Sequence, residues 1–65
     1  MNENEKSGYD SAKREITNES WTKQDAVKYL DSVIPMEDLD TDIDFQEYID
    51  FDRGHRLAIS EFAGV

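Results

Sequence analysis

Apolar residues are unevenly distributed along the chain, which indicates where the core is built. The first 20 positions hold only four of the 24, namely Met1, Tyr9, Ala12 and Ile16. Residues 1–8 are almost entirely polar and predict a disordered N-terminal tail. The four-residue spacing of Ala12 and Ile16 permits a short helix with a narrow apolar stripe between Tyr9 and Thr17. One small domain is therefore expected over residues 9–65, with most of its core after residue 20.

The clearest predicted helix spans residues 23–33. Thr22 is a suitable N-cap, and Asp25 three positions later approximates a capping box. An amphipathic stripe follows at helical spacing, formed by Ala26, Tyr29, Leu30 and Val33. Pro35 ends the helix, because the residue before a proline is pushed out of helical conformation.

The pattern after Pro35 fits both a strand and a helix. Ile43, Phe45, Ile49 and Phe51 alternate, whereas Phe45, Tyr48 and Ile49 share a helical face. Two candidate N-caps, Asp44 and Asp50, favour short helices at 45–49 and 51–57. Gly54 should weaken the second by about 1 kcal/mol relative to alanine. The apolar stretch 57–65 then extends this helix or forms a short C-terminal strand. The predicted fold is a small, mainly α-helical domain.

The charge is concentrated in one segment. The chain has a formal net charge of −9, and residues 37–52 contribute −8 of it, because they hold eight acids and no base. These acids are the predicted partner-binding carboxylates: Glu37, Asp38, Asp40, Asp42, Asp44, Glu47, Asp50 and Asp52. A single-sign field of this kind opposes direct binding to nucleic acid or to an anionic membrane and favours a basic protein partner.

Known catalytic and metal-binding patterns are absent from the sequence. There is no cysteine, and the single histidine, His55, is best interpreted as a surface or helix-end residue. The aspartates from Asp38 to Asp44 are spaced like calcium ligands, but Ile43 stands where an EF-hand loop needs glycine and Ile49 where it needs glutamate. We therefore expect no catalytic residue, no metal and no cofactor in this protein. The N-terminus has no signal-peptide pattern, so a soluble cytoplasmic protein is expected.

The charge density of the acidic segment invites comparison with nucleic acid. Coiled as a helix, sixteen residues span about 24 Å at 1.5 Å per residue, or roughly one charge per 3 Å. Duplex DNA carries one charge per about 1.7 Å. The approximate match suits a protein that competes for a DNA-binding groove.

The predicted helix with Tyr29 is followed by the acidic segment and then by Tyr48-Ile49-Asp50-Phe51. This order of a tyrosine-bearing helix, an acidic connection and a Tyr-Ile/Phe-Asp-Tyr/Phe motif resembles the last domain of the ArdA-type antirestriction proteins, and the resemblance covers the C-terminal two-thirds of the chain. The family then has Gly-Arg-Asp-Leu, whereas this chain has Gly54-His55-Arg56-Leu57. The resemblance implies a mimic of B-form DNA from a phage or mobile element. Such a mimic presents carboxylates in place of phosphates to a restriction-modification enzyme.

Two functions are consistent with the sequence. The first is a non-enzymatic inhibitor whose acidic segment occupies the basic DNA-binding cleft of a restriction-modification enzyme or another nuclease-type target. The second is a small acidic interaction module, such as an antitoxin or a regulatory subunit, that binds through its apolar tail at 57–65. Since a domain of this size is only marginally stable alone, a homodimer that buries Phe62 and Val65 is also expected.

Overall fold

The computed structural model describes residues 1–38 and 46–65. Three helices account for most of this part of the chain: α1 (Glu3–Asn18), α2 (Lys23–Ser32) and α3 (Gln46–Ala63), with a single 3₁₀ turn at Met36–Asp38 before α3. No strand occurs among the described residues. The predicted mainly α-helical fold is confirmed.

Helix α1 begins much earlier than its weak apolar pattern suggests. The Asn2 side chain caps the helix by accepting the amide hydrogen of Glu5 at 2.8 Å, and its amide nitrogen donates to Asp50 on α3 at 3.0 Å. The structure therefore has residues 3–8 in a helix instead of the predicted disordered tail. The reason is tertiary: this polar segment is held by contacts with α3, which hydrophobic periodicity does not record.

Helix α2 follows its sequence signals closely. The Thr22 hydroxyl accepts the Asp25 amide hydrogen at 3.1 Å, and the Asp25 carboxylate accepts the Thr22 amide hydrogen at 2.9 Å, which completes the capping box. The backbone leaves the helix at Val33, two residues before Pro35, and Ser32 is the last helical residue. The predicted helix at 23–33 is thus confirmed to within one residue.

Helix α3 replaces the two short helices predicted at 45–49 and 51–57. It runs without a break from Gln46 to Ala63, so Asp50 lies inside the helix and is not an N-cap. The C-terminal stretch is helical, so no C-terminal strand forms there. The predicted start at residue 45 and the Asp44 cap lie outside the described residues. Gly54 does not interrupt the helix. A glycine is needed at this position, because the α1 backbone lies too close to leave room for a side chain.

The closest helix packing in the molecule is between α1 and α3. Gly8 on α1 and Gly54 on α3 are buried, and a Cβ atom on Gly54 would lie far under 3.0 Å from the Glu5 carbonyl oxygen. A Cβ atom on Gly8 would clash in the same way with the Phe51 carbonyl oxygen. Ala12 and Ala58, four residues after each glycine, are also buried. The two backbones therefore meet directly, without side chains between them.

Helices α1 and α3 run in the same direction. Contacts between them advance together along both helices, from Asn2 with Asp50 to Tyr9 with Glu61. Their N-terminal ends consequently lie at the same end of the molecule. Helix α2 also packs against α3, and Ala26 and Ile59 are fully buried in the core that these helices share with Ala12 of α1.

The C-terminal end of α2 is held by a side chain of α3. Arg56 donates to the Val33 carbonyl oxygen at 2.7 Å and to the Leu30 carbonyl oxygen at 3.5 Å. These carbonyl groups belong to the last turn of α2, where backbone acceptors have no partner within the helix. Arg56 therefore fixes the point from which the chain leaves α2 towards the 3₁₀ turn.

Candidate partner-binding site at the acidic end

One end of the molecule collects carboxylates from three separate parts of the chain. The shared direction of α1 and α3 places the first turns of both helices there, together with the 3₁₀ turn that contacts α3. We call this region the acidic end and define it by Glu3, Glu5, Glu37, Asp38, Glu47, Asp50 and Asp52. Lys6 and Arg53 are the basic side chains in the same turns.

Arg53 stabilises the acidic end from within. Its guanidinium donates to the Glu37 carboxylate at 2.7 Å, and both side chains are about half exposed, at 51% and 48%. The hydrogen bond and the charge of Glu37 raise the pKa of Arg53, and the charges of Asp50 and Glu5 add to this effect. These three carboxylates, from α1, the 3₁₀ turn and α3, therefore lie within electrostatic range of one guanidinium.

Asp50, the acid of the family-like motif, faces inward. Only 8% of the residue is exposed, and its carboxylate accepts from the Asn2 side chain at 3.0 Å and from the Gln46 side chain at 2.9 Å. Both carboxylate oxygens are thus engaged within the protein. Asp50 anchors the start of α1 to α3, so the structure gives this predicted partner-binding residue an internal role.

Asp52 also has a partner inside the molecule. Its carboxylate accepts the backbone amide hydrogen of Met36 at 3.0 Å, which ties the beginning of the 3₁₀ turn to α3. Asp38 and Glu47 are exposed, and within the described part of the chain their carboxylates form no hydrogen bond or ion pair with another residue. The remaining predicted carboxylates, Asp40, Asp42 and Asp44, lie outside the described residues.

The two acids that sequence reasoning missed are Glu3 and Glu5. They belong to α1, which was expected to begin only near residue 9; the shared direction of α1 and α3 places them at the acidic end, and the charge of Glu5 acts on Arg53. A signal for them was present in the sequence: Asn2 followed three positions later by Glu5 is a typical helix start. A second signal was the pairing of Gly8 with Ala12 four residues later, which suits close packing of two helices.

His55 and the C-terminal stretch are placed differently from their predicted positions. His55 lies in the middle of α3 with its side chain only 14% exposed, not on the surface or at a helix end. In the stretch 57–65, Ala58 and Ile59 are buried, and Phe62 is packed against the core. Leu57 and Val65 of the same stretch are exposed, at 43% and 77%, so the stretch contributes partly to the core and partly to the surface.

No family model, curated protein or solved structure matches this chain. Within residues 1–38 and 46–65, no helix is both long enough and apolar enough to cross a membrane. The same residues contain no group of three or more histidine, aspartate or glutamate side chains arranged to hold a metal ion.

Proposed function

We propose that this protein is a non-enzymatic inhibitor that inserts its acidic end into the basic, DNA-binding cleft of a restriction-modification enzyme or another nucleic-acid enzyme. The observation that carries the proposal is the convergence of carboxylates from α1, the 3₁₀ turn and α3 on one end of the molecule. The resemblance to ArdA-type proteins supports the same type of target independently of the charge.

The contact surface in this proposal differs from the set of eight carboxylates in the linear sequence. Glu3, Asp38 and Glu47 are exposed at the acidic end and take the role of phosphates, and Glu5 is half-buried beside them. The sequence has three further aspartates, Asp40, Asp42 and Asp44, between the 3₁₀ turn and α3. Asp50 and Asp52 hold the scaffold together, so their charges contribute to the field without direct contact with the target.

A competition assay tests the proposal. A type I restriction-modification enzyme is bound to a fluorescent DNA duplex, and release of the duplex is measured by anisotropy as the protein is added. We expect release at low salt and at least about a tenfold loss of apparent affinity between 50 and 200 mM NaCl, because exposed charges are screened over this range. Failure to displace DNA from type I, type II and unrelated nucleases alike would refute the function.

Two double variants that remove the same charge separate the effect of the acidic end on competition from the effect of net charge. Asp38→Asn with Glu47→Gln should weaken competition several-fold to about thirtyfold, since each exposed charge pair contributes up to about 1 kcal/mol. The control, Asp10→Asn with Asp31→Asn, removes the same charge from exposed positions on α1 and α2 and should leave competition unchanged. Neutralising Asp38, Asp40, Asp42 and Asp44 together should abolish it with the helical circular dichroism intact. Equal effects of the two matched pairs would contradict a localised contact surface.

A further inference from the structure

Helix α1 is held in the molecule mainly by its contact with α3. Helices α1 and α2 each pack along α3, but in the described part of the chain the backbones of α1 and α2 do not pack against each other. Their covalent connection is the short turn 19–22. Helix α1 is therefore a separable element, with one main packing partner and one short link to the helix that follows it.

The contact between α1 and α3 is specific along its length. Polar side chains join the two helices at three places: Asn2 with Asp50 at 3.0 Å, Tyr9 with Glu61 at 2.6 Å, and Glu15 with His55 at 3.2 Å. Between these places the backbones meet directly at Gly8 and Gly54. A helix with larger residues at these positions does not fit, so this surface of α3 selects the sequence of α1. None of these contacts involves the turn 19–22, so α1 from a second copy of the chain can make all of them.

The turn between α1 and α2 contains a strained residue. Ser20 has a φ of 53° and is the one non-glycine residue with a left-handed backbone in the part of the chain that the structure describes. The amides of Ser20 and Trp21 donate to the carbonyl oxygens of Thr17 and Ile16 at 3.4 and 3.0 Å, which is the hydrogen-bond pattern of a Schellman motif. Glycine usually occupies the left-handed position of this motif, because a Cβ atom there raises the energy of the backbone. The closed turn therefore contains strain that glycine would avoid.

Opening the turn relieves this strain at a small cost. Glu19, Ser20 and Thr22 are exposed, so the backbone groups that the opening frees can bind water. The capping box of Thr22 and Asp25 begins after the turn and stays with α2. The Trp21 ring lies 5.9 Å from the Tyr29 ring of α2 and can keep that contact. The large cost of opening is the surface of α3 that loses α1, and another α1 can cover it.

We propose that two copies of this chain exchange α1: the turn 19–22 opens in both, and α1 of each copy packs on α3 of the other. The exchanged dimer keeps every contact between α1 and α3 and relieves two strained turns, against the entropy lost when two chains associate. Short hinge loops under strain favour exchange of this kind, and mutual exchange closes the dimer. The dimer fraction should therefore rise with protein concentration. This exchange does not depend on the proposed inhibitor function.

Refolding of the full chain at two concentrations tests the exchange. After refolding from urea at millimolar concentration, light scattering coupled to size-exclusion chromatography should detect a dimer that is absent after refolding at micromolar concentration. The dimer is then prepared from an equal mixture of isotope-labelled and unlabelled chains. In isotope-filtered nuclear magnetic resonance, cross-peaks between Gly8 and the surrounding residues of α3 should connect labelled with unlabelled chains. A chain that stays monomeric, or a dimer in which these cross-peaks remain within one chain, overturns the proposal.

Substitutions at Ser20 should shift the equilibrium in opposite directions. Ser20→Gly removes the strain of the closed turn, so the dissociation constant of the dimer should rise at least about tenfold, because every dimer contains two turns. Ser20→Val places a β-branched residue in the left-handed region and should lower the same constant by a similar factor. Ser7→Val, at an exposed position of α1, is the matched control and should leave the constant unchanged.

Equal dissociation constants for Ser20→Gly and Ser20→Val would contradict the role of this turn as the hinge. The isotope experiment uses the wild-type chain, so it decides the exchange even where a variant fails to fold.

Discussion

Gly54 lies in the interior of α3, at the position where the α1 backbone comes closest to this helix. In an isolated helix a glycine costs about 1 kcal/mol relative to alanine, and Gly54 was expected to weaken α3 for that reason. In the folded protein the missing side chain allows the Glu5 carbonyl group to approach the α3 backbone. The destabilising effect of this glycine on α3 is therefore offset by the close contact between α1 and α3, which are distant in sequence.

A glycine-to-alanine substitution inside a helix ordinarily stabilises it, but at position 54 the same substitution should destabilise the protein. We expect Gly54→Ala to lower the free energy of unfolding by about 1–3 kcal/mol or more, because the new methyl group meets a backbone atom and forces the helices apart. The measurement is urea denaturation followed by circular dichroism. Ser7→Ala, at an exposed position of α1, is the control and should be neutral or slightly stabilising. A Gly54→Ala protein more stable than wild type would show that α1 and α3 do not pack as described.

Among the elements, α2 was predictable and α1 and α3 were predictable only in part. Helix α2 is specified by neighbours in sequence: a cap, a capping-box partner, a stripe and a proline. The first turn of α1 and the continuity of α3 depend on each other, through Gly8 with Phe51 and through Asn2 with Asp50. Because these partners are more than 40 residues apart in sequence, no local pattern contains them. Asn2 and Glu5 indicate locally that a helix starts there, but no local pattern indicates that this start, and Glu3 with it, lies beside the first turns of α3.

The capping box gives α2 a pH dependence with a defined sign. The backbone hydrogen bond from Thr22 lowers the pKa of the Asp25 carboxyl group from its ordinary value, and the Thr22 side chain contributes as well. A carboxyl group whose pKa is lower in the folded protein adds stability above its unfolded pKa, and this stability is lost as the pH falls through the folded value.

We expect the difference in unfolding free energy between wild type and Asp25→Asn to be constant near neutral pH and to shrink below about pH 4. The comparison requires denaturation curves at a series of pH values. Gln24→Asn, an adjacent substitution without a titrating group, should show a difference that does not change with pH. A difference between wild type and Asp25→Asn that grows on acidification would contradict the assigned role of Asp25.

At the scale of the whole molecule, the shared direction of α1 and α3 determines where charge accumulates. An antiparallel pair would place the first turns of these helices at opposite ends, and Glu3 and Glu5 would lie far from Glu37. The observed arrangement concentrates like charges at one end, where they repel each other, and the side chains of Arg53 and Lys6 oppose this repulsion in part. The distribution of charge is thus a property of the fold as well as of the sequence.

Salt that screens the repulsion at the acidic end should therefore stabilise the protein. Between 10 mM and 1 M NaCl the Debye length falls from about 30 Å to about 3 Å, so repulsion between exposed carboxylates is largely removed. We expect the melting temperature to rise over this range at neutral pH. The rise should be smaller in the Asp38→Asn, Glu47→Gln variant than in the Asp10→Asn, Asp31→Asn variant. A melting temperature that falls with salt would indicate that attractive ion pairs outweigh repulsion.

The dominance of the contact between α1 and α3 also affects the order of folding. Helix α1 ends at Asn18 and its main packing partner begins at Gln46, so during synthesis α1 leaves the ribosome well before α3 exists. Helix α1 has a small apolar face, and its buried residues, Gly8 and Ala12, fit against α3. It therefore has no packing partner until α3 has been synthesised. Because loop closure must precede this contact, folding should be slower than in helical proteins whose neighbouring helices pack in sequence. Until the last helix is complete, α2, with its own cap, is the segment best able to hold helical structure.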